Sequence, residues 1–195
     1  MKKEKFPLVR IKIGFPFFAL TAFFLNGELW LNYLYALLFS FLHETGHLLA
    51  MLYFGCLPDS IVFGVSGIKI IKKELSLSPV QESVTALSGP FVNLVMMLIF
   101  SSRMKSLLFI INTGLLLFNL LPLKNLDGGR FIYNMMLHFS DNIHAVRVLF
   151  AAECITLIFL IILLIFSLIK DFANTTFIFF VIMIVVSTLA DMFKG

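Results

Sequence analysis

His43, Glu44 and His47 stand in the stretch HETGH, and their types and spacing are suited to metal chemistry. On a helix, residues i and i+4 share one face a turn apart. Two imidazoles so placed can bind a single Zn2+, and the carboxylate beside the first can reach a water on that metal. This is the His-Glu-x-x-His pattern of zinc hydrolases. The competing reading is two structural histidines and a Glu facing neighbouring helices. Only four histidines occur in the chain, and two of them fall in this pattern. The surrounding residues, LLFSFLHETGHLLAMLYFG, are otherwise those of a membrane helix, where ionisable groups are rare and usually functional.

A hydrolytic zinc site takes a third protein ligand and leaves a position for water. The candidate is Asp127, in FNLLPLKNLDGGR. It is the only acidic residue between Glu82 and Asp141, in a segment broken by Pro122 and loosened by Gly128 and Gly129. By itself, Asp-Gly-Gly suits a turn or a helix N-cap equally well.

The elements that must carry these residues can be read from composition. The 195 residues are 60% hydrophobic and 13% charged, with a mean hydropathy of +1.01. Soluble domains carry about twice that charged fraction. The apolar runs predict an all-α, polytopic membrane protein with six spans: Ile13–Leu25, Leu29–Gly55, Val80–Ser101, Ser106–Leu121, Ile143–Ile169 and Phe172–Met192. The amino terminus reads as a retained first span rather than a cleaved leader. The chain reads as a single membrane domain, 1–195. With both ends on the cytoplasmic side, twelve of the fifteen Lys and Arg fall inside, as the positive-inside rule asks. The parity of the spans then brings the cytoplasmic half of span two, with His47, and the exit of span four, with Asp127, to the same side. The +4 net charge marks loops and orientation, not nucleic-acid binding.

Pro58–Ser78 is too polar to span. Its alternation, with Gly64 and Gly67 at a turn, predicts a short β-hairpin between helices two and three. Such a hairpin can take an unwound substrate segment as an added strand.

Three motifs taken together resemble the site-2 proteases, the intramembrane zinc metalloproteases. The nearest likeness is to the compact bacterial branch of the stage IV sporulation protein FB type. They are His43-Glu44-Thr45-Gly46-His47, Ser88-Gly89-Pro90-Phe91-Val92-Asn93, and Asn119-Leu120-Leu121-Pro122 running into Leu126-Asp127-Gly128-Gly129. The resemblance covers roughly residues 30–135, and the last two spans match only in kind. It implies Zn2+ held by His43, His47 and Asp127, and Glu44 as general base. It also implies Asn119 and Asn93 in contact with substrate or intermediate. Thr45 departs from the family, where that position is more often apolar. No CBS or PDZ domain is expected after span six.

Glu153 sits inside span five, where a carboxylate needs a partner. It can orient a ligand histidine, stay protonated, or pair with a polar group on another helix; pairing is the favoured reading. His138 and His144 read as solvated histidines of a polar connection. Cys56 and Cys154 form no metal or disulfide pattern.

The expected function is an intramembrane zinc metalloendopeptidase acting in regulated intramembrane proteolysis on a membrane-tethered protein. A membrane regulatory partner fits that role, and the expected location is a bacterial cytoplasmic membrane. The resemblance also implies sporulation. The alternatives are a catalytically silent membrane scaffold of the same type and, less favoured, a small metal transporter.

Overall fold

The computed structural model describes residues 10–15, 21–22, 30–64, 67–72, 77–103, 106–169 and 175–192. These residues are mostly helical, with one small sheet. In chain order they form β1 (Arg10–Ile13), α1 (Trp30–Tyr53), β2 (Pro58–Gly64), β3 (Gly67–Lys72), α2 (Pro79–Ile99), a 3-10 turn at Ser101–Arg103, α3 (Leu107–Asn119), α4 (Asp127–Phe139), α5 (Asn142–Ile169) and α6 (Thr175–Met192). The chain divides into two compact units, Met1–Asn119 and Leu120–Gly195.

In the first unit, α1 ends where glycine permits it. Gly55 adopts φ +73°. Its N–H donates to Leu52 O at 3.0 Å, and the Cys56 N–H donates to Met51 O at 2.9 Å. This paired closure is the Schellman motif, which satisfies carbonyls the helix would otherwise leave open. The chain then turns into the expected hairpin. β2 and β3 are antiparallel, with Gly64 opposite Gly67 across the turn.

The sheet has one strand more than the sequence suggests. β1 pairs in parallel with β2, Arg10 opposite Ser60 and Ile13 opposite Phe63, so β2 is the central strand. Arg10 and Ile13 therefore belong to a strand and not to the edge of a first span. Phe15 and residues 21–22 are helical, and residues 16–20 and 23–25 of that expected span lie outside the described residues. A register shift between Pro58 and Ser60 bulges β2 at Asp59. Arg10 Nη2 donates to both carboxylate oxygens of Asp59, at 2.7 and 2.6 Å. That hydrogen-bonded guanidinium holds the Asp59 carboxyl below the usual carboxylate range.

α2 opens on a capping box. The Ser78 hydroxyl accepts from Gln81 N–H, the Gln81 side chain accepts from Ser78 N–H, and Pro79 fills the first helical position. Pro90 lies inside this helix, where it removes one backbone donor from the ladder. α1 and α2 pack at close range. A Cβ on Gly46 would lie 2.6 Å from Ser88 O and 2.8 Å from Val92 Cγ2. Small residues at such crossings are the usual means by which membrane helices approach one another. Phe39 of α1 meets Phe100, just past α2, edge to face at 6.1 Å.

In the second unit, α4 is a helix where the sequence suggests a connection. Asp127 is its first residue, and Leu126 takes the N-cap position without a side-chain cap bond. Asp-Gly-Gly thus opens the helix from within, and the acid sits favourably at the positive end of the helix dipole. Asp141, by contrast, caps α5: its Oδ1 accepts from His144 N–H at 2.8 Å. That backbone bond, aided by the His144 ring, holds the Asp141 carboxyl below its ordinary range. His144 therefore lies in the first turn of α5, and His138 near the end of α4; both are exposed.

Among the described residues, α2 and α5 are long and apolar enough to cross a membrane. α5 has 28 residues, which at 1.5 Å each reach about 42 Å, against a hydrocarbon core of about 30 Å. Its outward residues include Ile155, Ile158, Phe159, Ile162 and Phe166, all more than half exposed. Such an apolar exterior suits lipid and not water.

Candidate metal centre

The first unit buries polar residues among its apolar ones. His43 and His47 are 4% and 5% exposed, on the face of α1 that packs against α2. The helical repeat stacks the two rings, edge to face, with centroids 4.7 Å apart. His43 Nε2 and His47 Nε2 point at one another across 3.1 Å. Glu44 is half-buried, and one ligand atom from each of His43, Glu44 and His47 lies within 4.8 Å of the others.

α2 supplies the backing. His47 Nδ1 lies 2.7 Å from Thr85 O. A carbonyl can only accept, so the neutral ring carries its proton on Nδ1 and presents a bare lone pair at Nε2. That is the tautomer a metal-ligating histidine needs, fixed by the kind of partner such ligands usually have. The Ser88 hydroxyl donates to the same carbonyl at 2.6 Å and lies 3.4 Å from His47 Nδ1. Gly89 completes the cradle. A Cβ there would fall 2.6 Å from His43 Nε2 and closer still to His47 Nε2, inside the limit real Cβ atoms respect.

These residues fit a Zn2+ ion. Two nitrogens at the usual Zn–N distance of about 2.0–2.1 Å, held tetrahedrally, stand ~3.3–3.4 Å apart. The observed 3.1 Å between the Nε2 atoms is close to that. Two imidazoles one helical turn apart, with a carboxylate beside the first in reach of a metal-bound water, are the arrangement zinc hydrolases use.

Asn93 lies one turn beyond Gly89 on α2 and is fully buried. Neither its Nδ2 nor its Oδ1 has a hydrogen-bond partner among the described residues. Asn119 ends α3, half-buried, with Nδ2 donating to Leu115 O at 3.0 Å. The Thr45 hydroxyl turns back to its own helix, donating to Leu42 O at 2.6 Å.

Asp127 belongs to the second unit. It is 6% exposed, with Arg130 Nη1 3.5 Å from its Oδ1. The turn before it lies against the first residues of α4. A Cβ on Gly128 would meet Leu120 O and Leu121 O, and one on Gly129 would meet Leu123 O. Two glycines are required there because backbone packs directly on backbone.

Thr85 and Gly89 are the contributors whose roles the sequence did not disclose. Thr85 acts through its carbonyl, which every residue has. Gly89 falls within a motif but acts by what it lacks.

These observations define a mostly helical chain, with helices able to cross a membrane, that holds two buried histidines beside a half-buried carboxylate, a cluster fit for a divalent metal. The fold is that of the site-2 protease from Methanocaldococcus jannaschii, with a TM-score of 0.62 over 92% of this chain and 89% of that one, at 19% sequence identity. No family model and no curated protein matches the sequence.

Proposed function

We propose that the chain is a zinc metalloendopeptidase of the site-2 protease type, cutting a membrane-tethered protein within or near the bilayer. The observation that carries this reading is the cluster of buried His43 and His47 with half-buried Glu44, backed by Thr85 and Gly89, in a chain with that fold. In this reading His43 and His47 hold the metal through Nε2, and Asp127 is the third ligand. Support for Asp127 comes from the Leu-Asp-Gly-Gly motif and from its burial at the start of α4.

A bound Zn2+ would supply Lewis acidity and a water that ionises near neutral pH. Glu44 accepts a proton from the attacking water and returns it to the leaving amine nitrogen as the C–N bond breaks. Asn93 offers an N–H donor and a carbonyl acceptor, the complement of one exposed peptide unit. Asn119 serves the same substrate or its intermediate. The chain is multi-pass with both termini cytoplasmic, in a bacterial cytoplasmic membrane. Sporulation control through a membrane regulatory partner is the setting that the sequence resemblance favours.

Purified chain is expected to carry one zinc, and His43→Ala or His47→Ala to lose it. Full occupancy in both variants, or no metal in the unaltered chain, sinks the reading.

The substrate must unwind before its amides can be attacked. β3 closes the sheet, so one of its edges has no strand partner among the described residues. In this reading that edge receives the unwound segment. Proline substitutions along Ile68–Ile71 are expected to slow cleavage about tenfold, the loss of roughly one hydrogen bond, without changing zinc content. Unaltered cleavage at all four positions would remove the strand from the pathway.

A further inference from the structure

Glu153 is a buried carboxylate, 6% exposed, in the most apolar of the membrane-crossing candidates. The proposed chemistry does not use it. Its Oε1 accepts from the backbone N–H of Lys124 at 2.7 Å. A carboxylate placed in an apolar helix needs a compensating partner, and here the partner is a main-chain group in the turn before α4.

That turn carries two backbone bonds of its own among those the described residues show. Leu123 N–H donates to Leu121 O and Leu126 N–H to Leu123 O, each at 2.8 Å. Lys124 N–H is satisfied from α5 instead. The same turn fixes the start of α4: Leu120 O and Leu121 O press on Gly128, and Leu123 O and Lys124 N press on Gly129. Contacts of backbone on backbone cannot relax by changing rotamer. The turn and the first residues of α4 are therefore packed backbone on backbone, and Asp127 stands at the start of that helix.

The geometry points to Glu153 as a positioning residue: through the Lys124 N–H it locks the turn Leu120–Leu126 and so fixes Asp127 for metal ligation. This rests on the reading of Asp127 as the third ligand. Glu153 touches neither metal nor substrate in this role. Groups hydrogen-bonded directly to a ligand usually contribute about 10–100-fold to metal affinity, and the backbone contacts at Gly128 and Gly129 relay the Glu153 bond to Asp127.

The test uses the full chain in detergent or nanodiscs, with Glu153→Leu, Glu153→Gln and Glu153→Asp. Leu removes the acceptor, Gln keeps an acceptor of equal reach, and Asp withdraws it by one methylene while preserving the fold if Leu does not. Two quantities are read: backbone hydrogen exchange at residues 121–127, and zinc retention against a graded chelator. Exchange at Lys124 is expected to accelerate at least tenfold in the Leu and Asp variants. Zinc affinity should fall about 10–100-fold in both, with Gln staying within about threefold of the unaltered chain. Lys124→Ala should change neither, because only its main chain takes part. A tie that serves stability alone would lower the melting temperature of the Leu and Asp variants and leave zinc affinity intact; that outcome overturns the proposal. So does unaltered exchange in both variants. An unaltered chain that binds no zinc sinks the metal reading and this inference with it, whereas zinc binding indifferent to Glu153 sinks this inference alone.

Discussion

Glu44→Gln is expected to lower cleavage of a membrane-tethered substrate by about 10³-fold while the protein keeps its zinc. A positioned general base contributes typically 10²–10⁴-fold, and glutamine preserves the shape of glutamate while losing its ability to accept a proton. The metal remains because the groups that hold it are the imidazoles, whose Nε2 atoms stand 3.1 Å apart, together with the proposed Asp127. The His47 tautomer is also untouched, since it is set by Thr85 O at 2.7 Å. The variant therefore separates chemistry from assembly. Co-expression with a tethered transcription factor, and then the ratio of cut to intact substrate, reads the first; metal analysis of the purified variant reads the second. A scaffold would hold its client equally well with either residue, and a transporter would move metal with either. Cleavage by the variant above a tenth of the unaltered rate would remove Glu44 from the role of base.

The cluster of His43, Glu44 and His47 was legible in the sequence because it resides in side-chain identity. Histidines four apart, with a glutamate after the first, specify one helical face whatever the rest of the chain does. The helices α1, α2, α3, α5 and α6 were legible for a similar reason: long apolar runs leave few alternatives. β1 was not. Arg10–Ile13 is a four-residue strand, and its partner Ser60–Phe63 lies some fifty residues away. Beside a run such as FPFFAL, its basic residues look like the flank of a span. Only the parallel pairing, and the Asp59 bulge that meets Arg10, show otherwise.

α4 was missed for a different reason. Gly128 and Gly129 disfavour a helix by intrinsic propensity, yet they open one. Their value lies in letting the turn carbonyls approach, a tertiary gain that local propensity does not register. Glu153 was readable as a carboxylate needing a partner. Its partner was not, because a main-chain N–H leaves no signature in residue type. The same holds for Thr85, whose carbonyl sets the His47 tautomer.

Gly89→Ala is the second large effect, and it tests the cradle rather than the chemistry. The added methyl would stand 2.6 Å from His43 Nε2 and nearer still to His47 Nε2. Relief requires both rings to retreat. His47 is held by Thr85 O, so its retreat breaks the bond that fixes its tautomer. Retreat of His43 turns its Nε2 away from the shared point. Overpacking of this kind costs roughly 1–3 kcal/mol, and the whole of it falls on the geometry that the metal needs. Zinc affinity is therefore expected to drop about 10–100-fold, with cleavage falling in step. Alanine is the better helix former by about 1 kcal/mol, so any loss runs against the intrinsic preference of α2. Gly114 supplies the internal control: in α3, a Cβ there meets nothing within 4 Å. Gly114→Ala should leave zinc and cleavage unchanged and raise thermal stability slightly. Equal behaviour of the two variants in zinc retention would mean that Gly89 does not shape the site. A loss confined to Gly89→Ala would show that the close approach of α2 holds the two imidazoles where a metal needs them.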